Sequence, residues 1–133
     1  MDAATRELVR KRAGERCEYC RLHQKHSELI HHVEHIVARQ HGGSEDPDNL
    51  ALACHRCNLH KGPNLTGIDP STEQIVPLFH PRRDRWSEHF LFEGVHIVGT
   101  SAIGRAFLGL ASAGRTGCAV SSEDVVIPSP HFR

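Results

Sequence analysis

Apolar and polar residues alternate along the chain in short blocks, which predicts short secondary-structure elements. Partial alternation over residues 29–37 predicts a strand. The apolar run at residues 50–53 predicts a second strand, and segment 38–48, which contains glycine and proline, is predicted to be the loop between them. Residues 54–61 are predicted to form a helix directly after the second strand. Segment 29–62 is therefore predicted to be a β-β-α unit.

Weaker signals flank this unit on both sides. Residues 2–15 are predicted to form a helix with a basic outer face, which indicates either a packing helix with solvated charges or a contact with a DNA backbone. Further along, the pattern predicts a short strand at residues 74–79, a hairpin over residues 87–99 and a helix over residues 101–111. Residues 112–133 are rich in small residues and breakers, so they are predicted to be a divergent, flexible tail.

The length fits a single domain over residues 1–111, and truncation near residue 111 is expected to leave activity and melting temperature intact. Acidic and basic residues balance at 16 each, so binding to a polyanion would need a local basic patch. The N-terminus has no apolar signal segment, and no apolar run is long enough to cross a bilayer. We therefore expect a soluble cytoplasmic protein with no membrane partner.

Four of the five cysteines form two Cys-x-x-Cys pairs, Cys17 with Cys20 and Cys54 with Cys57. Two intervening residues let a tight turn present both sulfurs to one ion, and four thiolates favour tetrahedral Zn²⁺. We predict a structural zinc, because four thiolates leave no open position for water. Disulfides are the secondary interpretation of the same pattern. Cys118 is expected to be a thiol without function.

The β-β-α segment also carries side chains suited to hydrolysis. Glu34 and Asn58 offer hard oxygen ligands of the kind that Mg²⁺ and Mn²⁺ prefer. His35 is a base that could deprotonate a water molecule near pH 7. Lys61 follows Asn58 by three residues on the same face of the predicted helix, from where it could meet a phosphate.

Together these motifs resemble the HNH endonuclease family. The resemblance is carried by Cys-x-x-Cys at Cys17, Val-Glu-His-Ile-Val-Ala-Arg-x-x-Gly-Gly from Val33, and Asp-Asn-Leu-Ala-Leu-Ala-Cys-x-x-Cys-Asn-x-x-Lys-Gly from Asp48. Residues 63–105, with His-Pro-Arg-Arg-Asp-Arg-Trp, also look like bacterial standalone members. The resemblance implies an α+β fold: a small zinc-stapled ββα-metal (His-Me finger) domain, flanked by an N-terminal helix and a C-terminal hairpin and helix extension.

By position, the resemblance implies that His35 is the general base. Glu34 corresponds to the acidic metal ligand, usually Asp in the family, and Asn58 to the second protein ligand of the catalytic ion. Asn49 corresponds to the central Asn, which braces the loop and orients the segment that carries the histidine. The implied activity is one-metal hydrolysis of DNA phosphodiester bonds with Mg²⁺, Mn²⁺ or another divalent ion.

A regular strand is hard to reconcile with this chemistry. Consecutive residues point to opposite faces, so Glu34 and His35 can reach one phosphate only if the strand bends or ends there. We therefore predict irregular backbone over residues 34–36, and an ideal ladder through them would count against the site. His32 shares a face with Glu34, and is predicted to be a partner of its carboxylate, a third metal ligand, or a structural histidine.

Basic side chains near these motifs are candidate phosphate contacts, and solvated surface charge is the alternative for each of the arginines. They are Lys61, Arg39, Arg82, Arg83 and Arg85. The expected partner is double-stranded DNA. One active site per chain suits nicking, whereas cutting both strands would suggest a homodimer.

Two other classes of function compete with the nuclease. A non-catalytic zinc-ribbon module that binds nucleic acid would have the same cysteines, but it would not need a base beside a metal ligand. A redox protein built on the cysteine pairs would need a thioredoxin-like βαβ setting, which the flanking residues do not supply. The sequence therefore favours a metal-dependent DNA endonuclease.

Overall fold

The computed structural model describes residues 1–110, so the predictions for the tail and for Cys118 lie outside the described residues. The helices in this range are α1 (Ala3–Ala13), α2 (His55–Lys61) and α3 (Ala102–Gly109). The strands form three antiparallel pairs: β1 (His32–His35) with β2 (Leu50–Ala53), β3 (Thr66–Ile68) with β4 (Ile75–Pro77), and β5 (Phe90–Glu93) with β6 (His96–Gly99). The predicted α+β class is confirmed. None of the helices between residues 1 and 110 is both long and apolar enough to cross a membrane.

Helix α1 is capped at both ends by residues next to it in sequence. The Asp2 carboxylate accepts a hydrogen bond from the main-chain N–H of Thr5 at 2.8 Å, which satisfies a donor in the first turn. At the other end, Gly14 has a φ of 63°, a left-handed conformation that glycine adopts without steric cost.

Helix α1 packs against the β1–β2 hairpin. Val9 is fully buried there together with Leu50. The guanidinium groups of Arg10 and Arg12 donate to the main-chain carbonyls of His31 and Leu50, each at 2.7 Å. Two of the basic residues of α1 therefore hold the helix on the hairpin, which favours the packing interpretation of its basic surface.

The central β-β-α unit forms as predicted, with a shorter first strand. Residues 29 and 30 precede β1 and are exposed. Glu34 pairs regularly with Ala51 and His35 with Leu50, and the chain bends only at residues 36–37. The prediction of irregular backbone over residues 34–36 is therefore wrong at its first two positions, because the ladder to β2 continues through His35. The two side chains leave β1 on opposite faces.

The C-terminal extension contributes the second half of the core. Phe79, Phe90 and Phe107 are buried in one cluster with Tyr19, and the partly buried Trp86 packs on this cluster. Helix α3 closes over the β5–β6 hairpin at Gly104, where a side-chain carbon would collide with the carbonyl of residue 89. The predicted hairpin and final helix are both present, and the predicted strand at 74–79 pairs with β3, which the pattern did not indicate.

Candidate active site and metal centre

The four paired cysteines meet at one point beneath the β-β-α unit. Cys17 and Cys20 lie in the turn after α1, Cys54 is the N-cap residue of α2, and Cys57 is in its first turn. All four are buried, and their sulfur atoms lie within 4.8 Å of one another. The predicted four-cysteine cluster is confirmed. It ties the N-terminal knuckle (residues 17–20) to the start of α2.

The geometry of this cluster suits a tetrahedral metal. A Zn–S bond of about 2.3 Å gives a tetrahedral edge of about 3.8 Å. The sulfurs of Cys20 and Cys54 are 3.7 Å apart, far beyond a disulfide bond length. The N–H groups of residues 19 and 20 point at the sulfur of Cys17, and the N–H of Cys57 points at that of Cys54, each at 3.4 Å. Such N–H donors stabilise thiolates, so the residues present fit a Zn²⁺ ion held by four sulfurs.

Glu34 is buried on the face of β1 that meets α2. Its Oε2 accepts a hydrogen bond from the hydroxyl of Tyr19 at 2.5 Å and lies 3.9 Å from Nζ of Lys61. Burial raises the pKa of Glu34 to about 7, against the charge of Lys61 and the hydrogen bond from Tyr19, both of which lower it. Oε1 has no hydrogen-bond or ion-pair partner within residues 1–110. One carboxylate oxygen is therefore held in place while the other is free to take a ligand.

Helix α2 runs beside β1, and contacts at both ends fix their alignment. At one end, Nε2 of His32 lies 3.4 Å from Nδ1 of His55. At the other end, Nζ of Lys61 donates to the carbonyl of Ile36 at 2.8 Å. Asn58 lies three residues from both His55 and Lys61, which places it between them on one side of α2.

Among the side-chain oxygens of β1 and α2, Oε1 of Glu34 and Oδ1 of Asn58 have no hydrogen-bond partner within the described residues. Asn58 is partly exposed, and its amide makes no hydrogen bond within the described part of the chain. Both are hard oxygen donors, and such a pair suits Mg²⁺ or Mn²⁺ that retains several waters. His32, by contrast, contacts His55 and is exposed, so a contact with the Glu34 carboxylate is not among its interactions.

His35 leaves the opposite face of β1 and pairs with a residue that sequence analysis missed. Its Nε2 lies 2.6 Å from Oε2 of Glu45. Glu45 also lies 3.5 Å from a guanidinium nitrogen of Arg39 and 3.4 Å from the amino group of Met1. The hydrogen bond to His35 holds the pKa of Glu45 below its ordinary value. Glu45 carried no sequence signal, because no spacing rule links a loop carboxylate to a strand histidine.

Asn49 holds the loop that brings Glu45 to this position. Its amide NH₂ donates to the carbonyls of Val37 and Ser44 at 3.0 and 2.9 Å, and its Oδ1 accepts from the N–H of Val37 at 2.9 Å. A side-chain carbon on Gly43 would collide with the carbonyl of Val37, so the loop packs this closely only with glycine there. Asn49 thus links the end of the loop to Val37 at its start and to Ser44 within it.

Lys61 lies in a different place from the one the sequence suggested. The side chain is 2 % exposed. Its ammonium group donates a hydrogen bond to the carbonyl of Ile36 and forms an ion pair with Glu34. The end of α2 that carries Lys61 packs against β1, whereas Asn58, one turn earlier, is partly exposed. Lys61 is therefore not placed to contact a phosphate directly.

The four candidate arginines also differ in their surroundings. Arg82 forms an ion pair with Glu18, and both side chains are mostly buried. Arg39, Arg83 and Arg85 are exposed. A cleft of about 680 Å³ separates the loop held by Asn49 from the turn at residues 80–83; among its lining residues are Gly43, Ser44, Asp46, His80, Arg82 and Arg83. Arg83 is the exposed cation of this cleft, whereas Arg82 is already neutralised.

Comparison with known proteins identifies the central segment. Residues 17–64 match the family described as HNH endonuclease. The match contains both cysteine pairs and every candidate residue on β1, the loop and α2, and it confirms the resemblance that the motifs indicated. No curated protein and no solved structure matches the chain.

Proposed function

We propose that this protein is a metal-dependent DNA endonuclease in which His35 is the general base. The observation that carries the proposal is the pair of contacts at the end of β1: His35 held by Glu45 on one face, and Glu34 with one free oxygen on the other. Both lie within the segment that matches the HNH endonuclease family. Zn²⁺ is proposed for the four sulfurs, where it has a structural role because no coordination position remains open.

The opposite orientation of the two side chains is compatible with a shared substrate. Strand β1 pairs with β2 alone among the described strands, so its other edge is unpaired. Glu34 and His35 are adjacent at this edge, and a phosphodiester lying along it can meet both faces. A duplex carries its phosphates on its outer surface, so it can present them to such an edge.

The histidine and Glu45 have separate parts in the reaction. The Glu45 carboxylate accepts the Nε2–H of the neutral ring, which leaves the lone pair on Nδ1. Nδ1 accepts a proton from a water molecule as the water oxygen forms a bond to phosphorus and the bond from phosphorus to the 3′ oxygen breaks. Glu45 fixes the tautomer and orientation of the ring during this step.

Glu34 and Asn58 are the proposed ligands of the catalytic ion, Mg²⁺ or Mn²⁺. When bound, such an ion would stabilise the charge that develops on the phosphate and on the leaving oxygen. Asn49 keeps the loop folded so that Glu45 stays beside His35. Arg83 and Arg39 are the proposed contacts to the DNA backbone, because both are exposed, Arg83 lines the cleft beside the loop held by Asn49, and Arg39 lies beside Glu45.

A cleavage assay on supercoiled plasmid tests the proposal. Zinc-loaded protein is incubated with Mg²⁺, Mn²⁺ or EDTA, beside the variants His35→Ala and His96→Ala; His96 is an exposed histidine on β6 and serves as the matched control. We expect metal-dependent conversion to open-circle or linear DNA that His35→Ala abolishes and His96→Ala retains.

The other outcomes also discriminate. Equal cleavage by His35→Ala and the unaltered protein would disprove the assignment of the base. DNA binding without cleavage by any variant would instead support the non-catalytic zinc-ribbon module. Linear product formed in parallel with nicked product would point to a homodimer with two active sites.

A further inference from the structure

Tyr19 connects the four-cysteine site to the proposed metal ligand. It lies between Cys17 and Cys20 in the knuckle and is 1 % exposed. Its hydroxyl donates to Oε2 of Glu34 at 2.5 Å, which is the short distance typical of a hydroxyl that donates to a carboxylate. A residue of the knuckle therefore touches the carboxylate that the proposed catalytic ion would use.

The ring of Tyr19 is fixed by the C-terminal extension as well. It stacks on Phe107 of α3 with the ring centres 4.9 Å apart and the planes 6° from parallel. The indole N–H of Trp86 donates to the main-chain carbonyl of Tyr19 at 2.8 Å. Both residues lie outside segment 17–64, so the extension supports the position of the hydroxyl from beyond the family match.

One hydrogen bond and one ion pair at Oε2 leave the other carboxylate oxygen of Glu34 free. Tyr19 donates to Oε2, and the ammonium group of Lys61 lies 3.9 Å from the same atom. A carboxylate held through one oxygen cannot rotate freely, so its second oxygen, Oε1, is directed to one place. Partners of this kind set both the orientation and the affinity of a metal ligand.

We propose that Tyr19 is a positioning residue for Glu34, through which the four-cysteine site and the C-terminal extension set the affinity for the catalytic divalent ion. This inference rests on the proposed function, in which Glu34 is a ligand of that ion. The knuckle would then position a metal ligand in addition to stabilising the fold.

The substitution Tyr19→Phe tests the proposal because it removes only the hydroxyl and keeps the ring on Phe107. Thr72→Val is the matched control, since it removes a hydroxyl that donates to another buried carboxylate, that of Asp69, at 3.0 Å. Mn²⁺ is titrated into the full-length zinc-loaded proteins without DNA, and free Mn²⁺ is followed by electron paramagnetic resonance. Zinc content and thermal unfolding are measured on the same samples.

We expect the unaltered protein to bind one Mn²⁺, and Glu34→Gln to abolish this binding. Tyr19→Phe should weaken the affinity by about 10- to 100-fold, the usual effect of removing a partner of a metal ligand. Zinc content should stay at one ion per chain, and Thr72→Val should bind Mn²⁺ like the unaltered protein. In plasmid cleavage, Tyr19→Phe should need more Mn²⁺ for half-maximal rate and approach the normal rate at saturation.

Three results would overturn the inference. Unchanged Mn²⁺ affinity in Tyr19→Phe, with binding still lost in Glu34→Gln, would remove Tyr19 from the site and leave the proposed function standing. Loss of zinc or of folding in Tyr19→Phe, with normal Mn²⁺ affinity in the folded fraction, would show that the hydroxyl has only a structural role. No Mn²⁺ binding by the unaltered protein would disprove the proposed ion site, and this inference with it.

Discussion

The imidazole Nε2 of His35 lies 2.6 Å from Oε2 of Glu45, although the two residues are ten positions apart in sequence. The bond joins the end of β1 to the loop that follows it. His35 is partly buried and Glu45 is more exposed, so the pair lies at the surface where a substrate can approach. A histidine held by a carboxylate is a common arrangement for a general base.

The substitution Glu45→Gln should lower the rate of plasmid cleavage by about tenfold or more, because the ring loses the anion that holds its Nε2–H. Zinc content, unfolding temperature and DNA affinity should be unchanged. ¹⁵N NMR of the histidine should show His35 with its proton on Nε2 in the unaltered protein and a mixture of tautomers in Glu45→Gln. Glu93→Gln, at an exposed glutamate of β5, is the control; equal rates for both variants would exclude Glu45 from catalysis.

The substitution Lys61→Met should destabilise the fold and not merely weaken DNA binding. It would leave the carbonyl of Ile36 without its donor and Glu34 without its neighbouring cation, both of them buried. Breaking such a buried pair costs about 3 kcal/mol. Urea unfolding measures the loss, and Lys25→Met is the control at an exposed lysine. Normal stability of Lys61→Met combined with weaker DNA binding would instead support a phosphate contact by Lys61.

The substitution Cys57→Ser should abolish zinc binding and unfold the protein. A four-thiolate zinc site contributes on the order of 10 kcal/mol, comparable with the whole stability of a small domain. Zinc content by elemental analysis and secondary structure by circular dichroism are the measurements. Cys118→Ser should leave both unchanged. A folded Cys57→Ser variant with a full zinc ion would contradict the assignment of the ligands.

Arg82 and Arg83 are neighbours in sequence but should behave differently when each is replaced by alanine. Arg82→Ala leaves the mostly buried Glu18 without its cation, so the free energy of unfolding should fall by about 3 kcal/mol. Arg83→Ala should change stability by less than about 0.5 kcal/mol but weaken DNA binding and reduce the dependence of binding on salt.

Urea unfolding and fluorescence anisotropy on labelled duplex DNA at several salt concentrations separate these two effects. The same loss of stability in both variants would mean that the exposed arginine is also structural. Unchanged DNA binding in Arg83→Ala would remove the cleft between the two loops from the proposed binding surface.

The β-β-α unit and the cysteine site could be predicted because their determinants are local. Strand β2 is an apolar run bounded by turn residues. Helix α2 ends before Gly62 and Pro63, two residues that commonly stop a helix. Each cysteine pair needs only a tight turn to present two sulfurs together. The meeting of the two pairs follows from chemistry, since four buried thiolates with no metal would repel one another.

The partners of the candidate site residues could not be predicted in the same way. Lys61 was predicted to meet a phosphate because three-residue spacing puts it on the helix face of Asn58, but its own side chain is buried against Ile36 and Glu34. In the sequence, Arg82 and Arg83 are equivalent candidates for a phosphate contact. Only the structure shows that Glu18 of the knuckle pairs with Arg82. Burial of one helix face, or of one arginine, depends on what packs there from elsewhere in the chain.

The sequence by itself therefore determined the β-β-α order of residues 29–62, the four-cysteine cluster and the residue types available for hydrolysis. Only the tertiary structure decided that Tyr19 and Lys61 hold Glu34 and that Glu45 holds His35. The physical reason is range: turns, caps and strand alternation are set by neighbouring residues, whereas a buried carboxylate acquires its partners from segments that meet only when the core forms.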